Sequence, residues 1–122
     1  MNNKIDFFNE NAPIIFQKLV DDYGYILTEI KTSEINENKW STKLIYLNYD
    51  KKLKIEIEQA PYYSDYGFTF FIYNLENNEY KIIYNIPHEK QDNAGDFLTM
   101  AYSYIFTNEI YLKIINGQTW KI

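Results

Sequence analysis

The hydrophobic period changes twice along this chain, and that change dictates the fold class. Phe8, Ala12, Ile15, Phe16, Leu19, Val20 and Tyr23 recur at spacings of three and four, the stripe of an amphipathic helix. After Gly24 the period drops to two. The clearest stretch is Leu53-Lys54-Ile55-Glu56-Ile57-Glu58, where apolar and charged residues alternate as on a half-covered strand. Beyond Asp96 the longer spacing returns, with Leu98, Ala101, Tyr102, Ile105, Leu112 and Ile115 on one side. A helix, a run of strands and a closing helix therefore succeed one another.

Local signals set provisional boundaries. Asn11 is a candidate N-cap and Pro13 falls in the first turn, where its missing N–H costs little. The first helix is thus expected over 11–23, with room for an extra turn before Asn11, and Gly24 as its left-handed stop. Strands are expected from Tyr25 to Thr32, Trp40 to Tyr49, Leu53 to Gln59, Phe68 to Leu75 and Tyr80 to Ile86. Asn36-Glu37-Asn38 and Glu76-Asn77-Asn78-Glu79 read as turns, and Ala60 to Gly67 as a loop. A turn centred on Asp50-Lys51 brings Lys43 near Glu58 and Leu44 near Ile57, so one face of that hairpin is core and the other wet. Phe68, Phe70 and Ile72 point one way and Phe71, Tyr73 and Leu75 the other. Such a strand is either covered on both sides or exposes an apolar patch. Pro87 ends the strands, His88 to Gly95 is a polar connection, and Asp96 caps the closing helix. For residues 107–122 two readings stand. The stripe favours a helix stopped at Gly117, with a break at Thr107-Asn108, whereas Asn116-Gly117 is also a strong hairpin turn. The expected fold is α+β: a single domain over 1–122, a five-stranded, mainly antiparallel meander flanked by an N-terminal and a C-terminal helix on one sheet face.

Composition narrows the chemistry. The 122 residues include no arginine, no cysteine and one histidine, His88. Nucleophilic, metal and phosphoryl-transfer sites draw heavily on those types. No catalytic residue, metal ligand or cofactor is therefore expected. The 18 isoleucines against a single valine, with 14 asparagines and 13 tyrosines, fit an AT-rich coding bias, so tyrosine abundance alone marks nothing. A net charge of −5 argues against nucleic acid, because that affinity rests on cations neutralising phosphates. No apolar run approaches the roughly 18 residues that cross a bilayer, and the first residues lack a signal-peptide core. The expectation is a cytoplasmic protein with no membrane contact, either monomer or homodimer.

The polar constellations are sparse. His88 sits in a polar loop without partner ligands, and reads as an idle surface histidine. Glu56 and Glu58 share one strand face, with Glu29 potentially near. Paired carboxylates can serve acid–base chemistry or hold a hard cation, but Lys43 and Lys54 nearby would neutralise them. Asp21-Asp22 lie where a helix dipole disfavours anions, and most simply solubilise that end. Tyr62, Tyr63, Asp65 and Tyr66 form the most suggestive cluster, since tyrosines on a loop combine area, a polar tip and little entropy loss on binding. Trp40 and Trp120 read as packing residues. The four glycines stand singly, so no phosphate-cradling loop is present.

In its order of elements the chain resembles the small immunity proteins of bacterial polymorphic-toxin systems, and related small domains. The resemblance lies in the leading helix ending Leu19-Val20-Asp21-Asp22-Tyr23-Gly24-Tyr25, the Trp40 strand, the meander, and the closing Ile114-Ile115-Asn116-Gly117-Gln118-Thr119-Trp120. It implies an acidic, non-catalytic protein that binds and occludes a basic toxin domain. No functional residue carries over from it. The expected contacts come from the residues themselves: Tyr62, Tyr63 and Tyr66 as anchors, Asp65, Glu56 and Glu58 as charges that steer the partner. The alternative is a small-ligand-binding α+β domain with an aromatic-lined pocket. A third reading is an enzyme using only carboxylates and tyrosines, for which Glu56→Gln would be the test. An internal cavity would favour a ligand, and a well-packed body with an exposed aromatic-acidic patch a protein.

Overall fold

In the computed structural model, which describes residues 3–60, 67–87 and 97–120, the period-two segments pair strictly in chain order. The elements are α1 (Asn3–Ile15), α2 (Lys18–Asp21), β1 (Ile26–Ile35), β2 (Asn38–Asn48), β3 (Leu53–Gln59), β4 (Gly67–Asn74), β5 (Glu79–Pro87), α3 (Phe97–Phe106) and α4 (Glu109–Ile115). The sheet runs β1-β2-β3-β4-β5 with every neighbouring pair antiparallel. This is a single α+β domain. The expected register of the second hairpin is the observed one: Lys43 opposes Glu58 and Leu44 opposes Ile57.

The first helix starts earlier than its cap signal suggested. It begins at Asn3, and Asn11 lies inside it, its side-chain amide donating back to the Phe7 carbonyl at 2.8 Å. Ile5 and Phe8 are fully buried, so a further buried turn overrides the Asn-x-Pro start signal. Pro13 lies inside α1 without ending it. The helix breaks after Ile15, Gln17 N–H bonds to Ile14 O at 3.3 Å, and α2 resumes for one turn. The stripe survives the break: Ile5, Phe8, Ala12, Phe16 and Leu19 are all fully buried. Gly24 takes φ +78°, and Tyr25 N–H reaches back to Leu19 O at 3.0 Å, the left-handed stop expected of it.

Between β1 and β2 the turn residues Asn36 and Glu37 have φ of 51° and 69°. Two consecutive positive φ values fit a type I′ hairpin turn, whose twist matches its strands. It extends β1 three residues beyond the expected Thr32. At the other end of the chain the helical reading holds. Asn108 caps α4 through its side-chain oxygen, which accepts from Ile110 N and Tyr111 N at 3.0 and 3.2 Å. Gly117 then ends it at φ +75°.

The core lies between the helices and one sheet face. Phe16 is its hub, with rings of Phe68, Phe70, Tyr102 and Phe106 at 5.9–6.4 Å. Phe68 also meets Phe8 at 6.3 Å and Phe97 at 5.7 Å, both edge-on, the preferred geometry for aromatic quadrupoles. Polar ties fix the helices over the sheet. Asn9 donates to Thr32 Oγ1 and accepts from Thr42 Oγ1. The buried Tyr25 hydroxyl donates to Ile115 O at 2.7 Å, and burial pushes its pKa upward.

Candidate functional site

Leu44, Tyr46, Leu53, Ile55, Ile57, Phe68, Phe70 and Ile72 are buried toward the helices. Alternation then puts their sequence neighbours on the opposite face. The strand registers arrange that second face in three rows. The first reads Ile26, Leu47, Lys54, Tyr73, Tyr80 from β1 to β5. The second reads Glu29, Ile45, Glu56, Phe71, Ile82, and the third Lys31, Lys43, Glu58, Thr69, Asn85. The first two rows are largely apolar and lie nearest the β2–β3 and β4–β5 turns. The third is polar.

At the β4–β5 side Phe71, Tyr73 and Tyr80 form a ring cluster, with centroids 5.7–6.2 Å apart. Its outer member Tyr80 is 58% exposed, and Ile82 beside it is 52% exposed. On β3 the polar groups are organised rather than loose. Glu56 is only 8% exposed. Its Oε1 lies 3.6 Å from Lys43 Nζ, its Oε2 3.3 Å from Lys54 Nζ, and Tyr73 Oη donates to Oε1 at 3.3 Å. Lys43 and Tyr73 reach it from the diagonal positions on neighbouring strands, the reach expected of long side chains in a sheet. Lys54 Nζ also stands 4.6 Å over the Tyr73 ring, a cation–π contact. Burial, and then the Glu56 charge and hydrogen bond, push the Tyr73 phenol up to about 12, so it remains a donor at neutral pH. Glu58 is raised by burial, offset in part by Lys43 and raised further by Glu56.

The wet hairpin face expected from the β3 alternation is therefore not wet at Glu56. The carboxylate is held by two ammonium groups and a phenol, because cross-strand neighbours converge on it. It holds the Tyr73 hydroxyl and the Lys54 ammonium in place. Glu58 sits beside it on the same face, and Glu29 lies in the same row with Ile45 between them. Tyr62, Tyr63, Asp65 and Tyr66 lie outside the described residues, as do His88 and Asp96. Asp21 and Asp22 are exposed, the first accepting from Gln17 Nε2 at 3.2 Å and the second 3.9 Å from Lys18. Trp120 packs partly against the core and donates from Nε1 to Glu79 Oε1 at 2.9 Å.

Sequence reasoning had recognised the outward side of β4, but it missed Tyr80 and Ile82. Their signal was period two in β5, and it becomes legible only once Tyr80 is known to oppose Tyr73 and Ile82 to oppose Phe71. Between sheet and helices the buried residues form one contiguous hydrophobic cluster. An open depression of about 450 Å³ lies outside it, lined by Asn78, Glu79, Tyr80, Lys81 and Trp120. Among the described residues no group of three or more His, Asp or Glu side chains is arranged to hold a metal, and no helix is long and apolar enough to cross a membrane. No protein-family model matches the chain, and neither does any curated protein or solved structure.

Proposed function

We propose that this protein is a binding module whose sheet face opposite the described helices engages a protein partner. In its specific form we propose an immunity-type inhibitor that occludes a toxin domain. The observation carrying this reading is the ring cluster Phe71, Tyr73 and Tyr80 with Ile82 beside it, open at its outer edge and rimmed by the Lys43–Glu56–Lys54 network. Exposed aromatic anchors next to pre-ordered polar groups are what hot spots consist of. The electrostatic part of the expectation changes. Glu56 already has two cationic partners, so it orders the patch, and attraction for a basic partner would come from the net charge of −5 as a whole.

The test is affinity capture by the tagged protein from its native lysate, run beside the double variant Tyr80→Ser/Ile82→Ser. One stoichiometric partner that the variant no longer retains supports the reading. If that partner's toxicity is suppressed by co-expression of the wild type alone, the inhibitor form is supported as well. Equal capture by both proteins, or none where the partner is known to be expressed, rejects this face.

A further inference from the structure

The first two rows of the sheet face opposite the described helices have a property that neither row has alone: they complement each other. Column by column from β2 to β5, Leu47 stands next to Ile45, Lys54 next to Glu56, Tyr73 next to Phe71, and Tyr80 next to Ile82. A two-fold axis in the plane of the face, perpendicular to the strands and passing between the rows, lays the first row of one copy over the second row of another. Leucine then meets isoleucine, tyrosine meets phenylalanine, and tyrosine meets isoleucine. On the central strand the Lys54–Glu56 pair, joined within each chain at 3.3 Å, stacks head-to-tail on the same pair of the second copy, so each charge also meets an opposite one across the axis. A two-fold interface must be self-complementary in this sense, and an axis along the strands would fail, since it sets Lys54 against Lys54.

We propose that a second copy of this chain covers this face, antiparallel across that axis, with reciprocal Lys54–Glu56 contacts at its centre. Stacked sheets cross at about 30°, so the match is closest over β2, β3 and β4. At the β1 edge Ile26 would face Glu29, and that strand contributes least. Two rows across five strands amount to roughly 300–400 Å² per copy, about half or less of the roughly 800 Å² per partner in a standard interface. The dimer is accordingly weak and reversible. A heterologous protein could displace the second copy, so the inference uses the same face as the proposed function without needing a toxin partner.

The test uses purified full-length protein in sedimentation equilibrium from micromolar to millimolar concentration. The wild type should show a reversible monomer–dimer equilibrium. Lys54→Glu and Glu56→Lys should each weaken self-association by more than about tenfold, because each creates two like-charge contacts. Mixed in equal amounts, they should associate with each other, since the swapped charges are complementary between copies though not within either one. Should either charge variant fail to fold, Ile82→Asp at its exposed site should abolish the dimer and leave circular dichroism unchanged. A wild type that stays monomeric at every concentration overturns the proposal, as does a dimer indifferent to all three substitutions. Neither outcome touches the lysate capture, which tests the other reading separately.

Discussion

The two faces of one strand, β4, carry nearly the same chemistry and have different fates. Phe68, Phe70 and Ile72 are fully buried against the helices, while Phe71 and Tyr73 on the other side are half-buried among their neighbours. The first set meets rings from α1 and α3. The second meets Tyr80 from the adjacent strand, Lys54 and Glu56. The difference is where the helices lie. Apolar residues on the covered side hold the fold together, and equally apolar residues on the open side are available for binding.

The sharpest way to break this comparison is a matched pair of truncations. Phe68→Ala should cost about 3–5 kcal/mol in urea unfolding, and Phe71→Ala about 1 kcal/mol. Equal costs would mean that the open face carries as much of the fold as the core does. Next in size, Glu56→Gln should lower stability by about 1–2 kcal/mol, because Lys43, Lys54 and the Tyr73 hydroxyl lose a charged acceptor. A change near zero would show that these groups are satisfied by water instead.

The covered face has its own internal contrast. Tyr25 donates to Ile115 O, whereas the Tyr46 hydroxyl is buried with no hydrogen-bond partner among the described residues. Tyr25→Phe should cost about 1 kcal/mol in thermal unfolding, and Tyr46→Phe should be neutral or stabilising. The smallest effect belongs to Glu58. Its pKa is raised in the folded state, chiefly by burial, so its contribution is fully present below the ordinary carboxylate value and is lost as pH rises through the folded one. Glu58→Gln should therefore raise stability at neutral pH, by about 0.5 kcal/mol or less because solvent screens the site. The gain should vanish below the carboxylate range, and a pH series of melting temperatures reads it directly. A gain of the same size at every pH would remove ionisation as the cause.

Much of the fold was legible because its signals are local. Period two placed five strands, Asp50-Lys51 set the β2–β3 register, and Gly24 and Gly117 marked helix ends at positive φ. The start of α1 was not legible. A cap signal at Asn11 competes with burial of Ile5 and Phe8, and the burial is worth more. The patch was half legible. The outward side of β4 was visible as an apolar alternation, but Tyr80 and Ile82 join it only through the β4–β5 pairing.

The sequence by itself determined which residues share a face, because strand and helix periods are properties of the backbone alone. It determined the hairpin order too, since the short connections leave little choice. Which face the helices would cover was decided by tertiary structure. So was the environment of Glu56, a carboxylate on an alternating strand that reads as solvated until Lys43 and Tyr73 arrive from the two neighbouring strands. Alternation encodes sides, but burial on a side depends on what packs there, and that is settled by chain segments distant in sequence.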